Sequence, residues 1–181
     1  METVEVTVWG IIGGLQGHSV ILADREQERV LPIVIGIPEA LAIHAELERK
    51  RFSRPMTHDL LAQSFAAVGA EVESVVITDL QDGTFYARIH ARANGRRHSI
   101  DSRPSDALAV ALRVGAPIYV SEAVMSEAAH DTPPDALEET LSEEVTEQHV
   151  IGWEREPAAS REEVEKFRGI LRDAGLDEHT G

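Results

Sequence analysis

Two short segments combine the side chains that phosphate chemistry requires. Residues 53–55 and 102–104 both read Ser-Arg-Pro, and an aspartate follows each of them, Asp59 and Asp106. Phosphodiester hydrolysis needs positive charge on the non-bridging oxygens, an activated water and help for the leaving oxygen. Arginine, aspartate and histidine can meet these needs, and His58 stands beside Asp59. The pattern therefore indicates a site that handles phosphate.

Each Ser-Arg-Pro segment also precedes an apolar run with helical spacing. A helix N-terminus has free amide donors and a partial positive charge that favours phosphate, and Arg54 and Arg103 add guanidinium groups for bidentate contact. Carboxylate oxygens suit a hard cation such as Mg²⁺ or Mn²⁺, and histidine suits proton transfer. The predicted catalytic residues are His58, Asp59, Asp101 and Asp106, and the predicted metal ligands are Asp59, Asp106 and Glu39.

The same residues have an ordinary structural interpretation. Thr57 and Ser102 are typical N-cap residues, and an aspartate in the first turn stabilises a helix by about 0.3–1 kcal/mol through its dipole. An arginine before proline then simply binds a neighbouring carboxylate. The catalytic interpretation requires both helix starts to converge on one cleft, which the sequence alone does not establish.

A second group of basic residues predicts a surface that follows a phosphate backbone. The segment "ERKRFSRP" is strongly basic, a predicted hairpin near residue 95 adds further arginines, and Phe52 is suited to stack on a base. A solvated helix end is the alternative, since basic side chains suit the C-terminal dipole. The predicted substrate-binding residues are Arg49, Lys50, Arg51, Arg54, Arg96, Arg97 and Arg103.

The net charge of −15 is unevenly distributed along the chain. Residues 1–125 hold 16 acids against 12 Lys and Arg, a net charge of −4, whereas residues 126–181 hold 16 against 5, a net charge of −11. The first part can therefore still present a basic face to nucleic acid. The acidic tail is expected to fold over that face, so that deleting residues 126–181 should raise the affinity for nucleic acid.

Composition and motifs exclude several other classes. The chain has no cysteine, which excludes disulfides, zinc knuckles and thiol nucleophiles. Its beginning lacks the features of a signal peptide, and no apolar run reaches the roughly 18 residues of a membrane span. A phosphate-binding P-loop, a G-x-S-x-G elbow and a dinucleotide fingerprint are also missing. We predict a cytoplasmic protein without membrane contact or organic cofactor.

The pattern of apolar residues predicts an α+β fold with the order βββ-α-α-βββ-α-β. Alternation over residues 4–8 indicates a half-buried strand, and Asn94-Gly95 is a preferred two-residue hairpin turn. Hairpin-joined strands predict a mixed, largely antiparallel sheet with packed helices. The continuously apolar run "RVLPIVIGI" predicts a third strand in the centre of the sheet, and the apolar helix after Pro104 should be buried.

Three regions are predicted. Residues 1–125 form the α+β domain, residues 126–157 are an acidic linker interrupted by prolines, and residues 158–181 form an amphipathic helix. In that helix Ser160 and Glu163 make a capping-box pair, and Val164, Phe167 and Leu171 share one face. This face should dock on the domain or on a partner.

Several blocks in order resemble one family. These are "LPIVIG" followed by Glu39-Ala40, then "RPMTHDL", "GTFYA", "RPSDALAVALR" and "PIYV". Over residues 31–125 the chain resembles the bifunctional nuclease domain family, known in bacteria and named for activity on RNA and DNA. The resemblance implies an α+β domain, a homodimer or higher homo-oligomer, and a nuclease of relaxed specificity on RNA or DNA. A non-catalytic regulatory or binding module for an anionic ligand or protein partner is the alternative.

Overall fold

The computed structural model describes residues 2–14 and 17–134. Within these residues the fold is α+β, as predicted, and the predicted element order is confirmed up to the last strand, after which one further helix follows. The elements are β1 (Thr3–Gly14), β2 (Gly17–Asp24), β3 (Val30–Ile35), α1 (Ile37–Leu47), α2 (Thr57–Ala67), β4 (Glu71–Gln81), β5 (Thr84–Ala93), β6 (Arg96–Ser102), α3 (Pro104–Val114), β7 (Ile118–Ser121) and α4 (Glu122–Ala128).

The predicted linker and C-terminal helix fall mostly outside the described residues. The described chain continues from α4 to His130, whose amide and carbonyl pair with Val30 at the start of β3. Residues 135–181, and with them the helix predicted at 158–181, lie beyond it. None of the described helices is long and apolar enough to cross a membrane.

The strands form one mixed sheet with the order β3-β2-β1-β7-β4-β5-β6. Only the pair β4–β7 is parallel among the described strands, so the largely antiparallel sheet is confirmed. Asn94 and Gly95 both have positive φ, 51° and 73°, and they join Ala93 to its partner Arg96. This is the backbone of the predicted two-residue turn, and it sets the register of β5 and β6.

The prediction that β3 is central was wrong, because β3 forms an edge of the sheet. Pro32 has no N–H to donate, which an edge strand tolerates, and Val34 is 70% exposed. The apolar run instead reflects packing of Leu31, Ile33 and Ile35 in the main core, together with Ala40 and Ile43 of α1.

Helix α3 is buried, as predicted, and it lies at the centre of the helical layer. Its residues Ala107 to Ala111 are fully inaccessible, and it lies against β4 and β5 on one side and against α1 and α2 on the other. Pro104 opens the helix, where its missing N–H costs nothing, and Gly115 closes it with a φ of 70°. Because α1 and α2 both pack on α3, the first turns of all three helices can meet.

The helix caps differ from the prediction by one residue. The N-cap of α2 is Met56 and that of α3 is Arg103, so Thr57 is already helical and Ser102 is the last residue of β6. The Asp59 carboxylate accepts a hydrogen bond of 2.8 Å from the Met56 amide. The side chain that caps the start of α2 is thus that of Asp59 in the first turn, whereas the prediction assigned the cap to Thr57.

Candidate active site

The first turns of α1, α2 and α3 meet in a cluster of four side chains. His58 Nε2 lies 2.9 Å from Asp106 Oδ1, which joins α2 to α3. Arg103 Nη2 donates to Glu39 Oε1 at 2.8 Å, which joins α3 to α1. We call Glu39, His58, Arg103 and Asp106 the N-terminal cluster. The starts of α2 and α3 meet through His58 and Asp106, which lie 48 positions apart in the chain. The predicted shared cleft is formed only in part, because Arg54 and Asp59 border a separate hollow.

Arg103 binds the Asp106 carboxylate in a bidentate manner and remains exposed to solvent. Its Nε donates to Asp106 Oδ2 at 2.7 Å and its Nη2 to Oδ1 at 3.1 Å, yet 65% of the side chain is exposed. The hydrogen bonds to Asp106 and then Glu39 raise the pKa of Arg103 above its ordinary value. No described residue accepts a bond from Nη1, so this nitrogen can still bind an anion.

Asp106 is ionised at neutral pH. Its partial burial alone would raise the pKa of the carboxyl, but the hydrogen bonds from Arg103 and His58 outweigh burial and hold the pKa below its usual value. An ionised carboxylate can only accept, so His58 donates from Nε2, and Nδ1 is the nitrogen that carries a lone pair whenever the imidazole is neutral. The His58 side chain is only 11% exposed. An imidazole held in this way can accept a proton at Nδ1.

Asp59 belongs to a different set of contacts. Its Oδ1 accepts from Arg113 Nε at 2.6 Å, and Arg113 also donates to the carbonyls of Ala109 at 2.9 Å and Ala42 at 3.2 Å. The Arg113 side chain is only 6% exposed. It therefore ties α1, α2 and α3 together. Burial would raise the pKa of Asp59, but the Met56 amide and the Arg113 guanidinium outweigh it and lower that pKa.

Arg113 was missed in the analysis of the sequence, although a signal was present. It stands within "ALAVALRV", where every other residue is apolar. A charged side chain on a buried helix needs an ionic or hydrogen-bonding partner, so its position alone indicated a buried ion pair. The partner could not be named, because Asp59 lies 54 positions away.

The basic connector after α1 borders a hollow of about 350 Å³ beside α2. We call it the basic hollow; six side chains that shape it are Lys50, Arg51, Phe52, Arg54, Asp59 and Arg113. Arg51 binds Glu46 at 2.9 Å. Lys50 and Arg54 have no carboxylate partner among the described residues. Arg49 is exposed but does not line the hollow.

Three other predicted residues lie away from both the N-terminal cluster and the basic hollow. Arg97 Nε binds Glu73 Oε2 at 3.1 Å, and Arg92 binds the same carboxylate, whereas exposed Arg96 lies at the hairpin turn. Asp101 of β6 stands opposite Arg88 of β5 in the backbone register. The residues on either side of Arg88, Ala87 and Ile89, face the helices. Because side chains alternate along a strand, Asp101 projects from the face of the sheet opposite α3.

The predicted metal ligands do not form a donor set for a hard cation as they are placed. Asp59 binds Arg113, while Asp106 and Glu39 share Arg103. Within residues 2–14 and 17–134 no group of three or more acidic or histidine side chains is arranged to hold a metal ion. Dependence on Mg²⁺ or Mn²⁺ stays a prediction.

The fold and the cluster define an α+β domain with an arginine–carboxylate–histidine site where helix N-termini converge. The chain belongs to the bifunctional nuclease domain family, whose model matches residues 20–133. An uncharacterised protein of Mycobacterium tuberculosis is 39% identical over 176 residues, which is 96% of each chain.

Two plant proteins match a shorter region. A protein named bifunctional nuclease 1 from Oryza sativa subsp. indica is 26% identical over 111 residues, 59% of this chain and 34% of its own length. A protein named bifunctional nuclease 2 from Arabidopsis thaliana is 26% identical over 110 residues, 58% of this chain and 33% of its own length. The chain thus spans about a third of these plant relatives, and family membership points to a nuclease-related function.

Proposed function

We propose that this protein is a nuclease of relaxed specificity that hydrolyses phosphodiester bonds in RNA or DNA at the N-terminal cluster. The observation that carries the proposal is the contact of His58 with Asp106, beside an arginine that remains 65% exposed. It combines an oriented base with an accessible cation in one place. The family membership and the names of the plant relatives support the same activity.

Each member of the cluster has a role in this proposal. His58 Nδ1 takes the proton of the attacking water, and Asp106 holds the imidazole and stabilises the imidazolium that forms. The new bond from water oxygen to phosphorus forms as the bond to the leaving sugar oxygen breaks, and the leaving oxygen takes a proton from solvent water. The imidazolium of His58 then returns its proton to solvent. Arg103 Nη1 and the first-turn amides of α1 and α3 stabilise the charge on the non-bridging oxygens. Glu39 orients Arg103.

One observation favours the alternative of a non-catalytic module. Both carboxylates that follow a Ser-Arg-Pro segment are bound by arginines, Asp59 by Arg113 and Asp106 by Arg103. Such pairs are also what a purely structural network would contain. In that case the exposed cations would recognise an anionic ligand or an acidic protein surface without cleaving it. Cleavage by the purified protein separates the two functions.

The test compares two aspartates that the sequence analysis treated alike. Asp106→Asn should lower the cleavage rate of a labelled single-stranded RNA at least about 100-fold, because the base loses its orienting charge. Asp101→Asn should keep the wild-type rate, since Asp101 lies on the opposite face of the sheet. Each highly purified protein is assayed with Mg²⁺, with Mn²⁺ and with EDTA, which also tests the predicted metal dependence.

Equal cleavage by wild type and Asp106→Asn would point to a contaminating nuclease or another site. No cleavage by the wild type in any of these conditions would favour the non-catalytic module. Homo-oligomerisation and a cytoplasmic location stay predictions from the sequence and from the family.

A further inference from the structure

We propose that the basic hollow is a subsite for one unpaired nucleotide of a single strand that is cut at the N-terminal cluster. This inference deepens the proposed nuclease function and rests on it. It assigns a binding role to Phe52 and Gln63, and it restricts the substrate to nucleic acid with unstacked bases.

The charge of the hollow fits a nucleotide phosphate. Arg51 and Arg113 are neutralised by Glu46 and Asp59, but Lys50 and Arg54 line the same space with no acidic partner in the described part of the chain. Two unneutralised cations at one opening attract an anion, and the arginine adds planar donors for phosphate oxygens.

The hollow also provides surfaces for a base. Phe52 is 48% exposed and lines the hollow, as does Gln63. Lys50 Nζ lies 5.8 Å from the centre of the ring. An exposed ring offers a base a stacking partner, and an amide side chain can donate to and accept from its edge. The hollow's volume of about 350 Å³ suits a ligand of this size.

The position of the hollow connects it to the N-terminal cluster. Arg113 lines the hollow and Asp106 belongs to the cluster, and both lie on α3, seven residues apart. That spacing corresponds to about 10 Å along a helix axis. His58 and Asp59 provide a second link, because these neighbours in α2 face the cluster and the hollow respectively. A strand held in the hollow can therefore continue to Arg103.

The consequence is a preference for single strands. A base that stacks on Phe52 must leave its own stack and its pairing partner, so a duplex has to give up both interactions before it can bind. RNA loops and single-stranded DNA present such bases already unstacked. The subsite thus explains how one enzyme can accept both RNA and DNA, since neither stacking nor phosphate contact reads the sugar.

Binding is measured without turnover, by fluorescence anisotropy of a labelled ten-nucleotide single-stranded DNA with the full chain in EDTA. Phe52→Ala and Arg54→Ala should each weaken binding roughly tenfold. Arg88→Ala is the matched control and should bind like wild type, because Arg88 is an exposed arginine on the opposite face of the sheet. The matching duplex should bind the wild type at least about tenfold more weakly than the single strand.

Three results would overturn the subsite: no binding by the wild type, unchanged binding in both hollow variants, or an equal loss in Arg88→Ala, which would mean that affinity follows net charge alone. These outcomes are distinct from failure of the nuclease proposal. Tight, Phe52-dependent binding without any cleavage would retain the hollow as a nucleotide site and reject hydrolysis. Cleavage by a protein whose binding is unchanged in both Phe52→Ala and Arg54→Ala would retain hydrolysis and reject the hollow as a nucleotide site.

Discussion

Replacing Arg103 with alanine is expected to slow phosphodiester cleavage about 100- to 1,000-fold, because the developing phosphate charge loses its principal cation. The measurement is kcat/KM on a labelled single-stranded RNA. Arg103→Lys should recover only part of the rate, since lysine keeps the charge but not the fork that holds Asp106 and Glu39. The Arg103 side chain is 65% exposed, so the fold should persist, as a thermal melt can verify.

The matched control for Arg103 is Arg97→Ala. Arg97 is also exposed and also bound to a glutamate, Glu73, but it lies in the β6 hairpin away from the cluster. It should retain a rate close to that of the wild type. A loss as large in Arg97→Ala as in Arg103→Ala would show that cleavage depends on overall charge and would contradict the assignment of Arg103.

Replacing Arg113 with methionine is expected to lower the free energy of unfolding by roughly 3 kcal/mol, since it leaves the Asp59 charge partly buried and unpaired. It also removes donors from the carbonyls of Ala42 and Ala109. Urea denaturation at pH 7 measures the change. Adding Asp59→Asn should restore part of the loss, because the uncompensated charge disappears while an amide oxygen can still accept from the Met56 amide.

Arg51→Met is the control for this stability prediction. Arg51 also binds a carboxylate, that of Glu46, but its side chain is 72% exposed, and exposed pairs contribute little. Its replacement should change the unfolding free energy by no more than about 0.5 kcal/mol. If Arg113→Met proved equally mild, the ion pair with Asp59 would not be what holds the three helices together.

The order of the elements could be predicted because it depends on local signals. A two-residue hairpin turn requires positive φ at both positions, which Asn94 and Gly95 tolerate, and Pro104 and Gly115 mark the ends of α3. The burial of α3 likewise followed from its composition. These features need no knowledge of which residues meet across the sheet, so they could be predicted from the sequence.

The errors concern choices that depend on the whole fold. A continuous apolar strand is compatible with a central or an edge position. β3 lies at the edge, and its apolar run reflects the face that packs against α1 and the main core. The caps shifted by one residue because Asp59, and not Thr57, reaches a free amide. Local propensity cannot decide between two adjacent candidates.

The candidate site could be predicted in its residue types but not in its grouping. His58 and Asp106 do meet, yet Asp59 turns towards Arg113 and Asp101 projects from the other face of the sheet. Neighbouring residues on a helix point about 100° apart, so His58 and Asp59 necessarily serve different surroundings. Which of them faces the phosphate depends on how α2 packs against α3.

The most direct test is a double-mutant cycle on kcat/KM for RNA cleavage with His58→Ala, Asp106→Asn and the combined variant. Because Asp106 is proposed to act through His58, each single change should cost at least about 100-fold and the double variant should be no slower than His58→Ala. Losses that multiply in the double variant, or single variants that cleave at the wild-type rate, would contradict a catalytic unit formed by these two side chains.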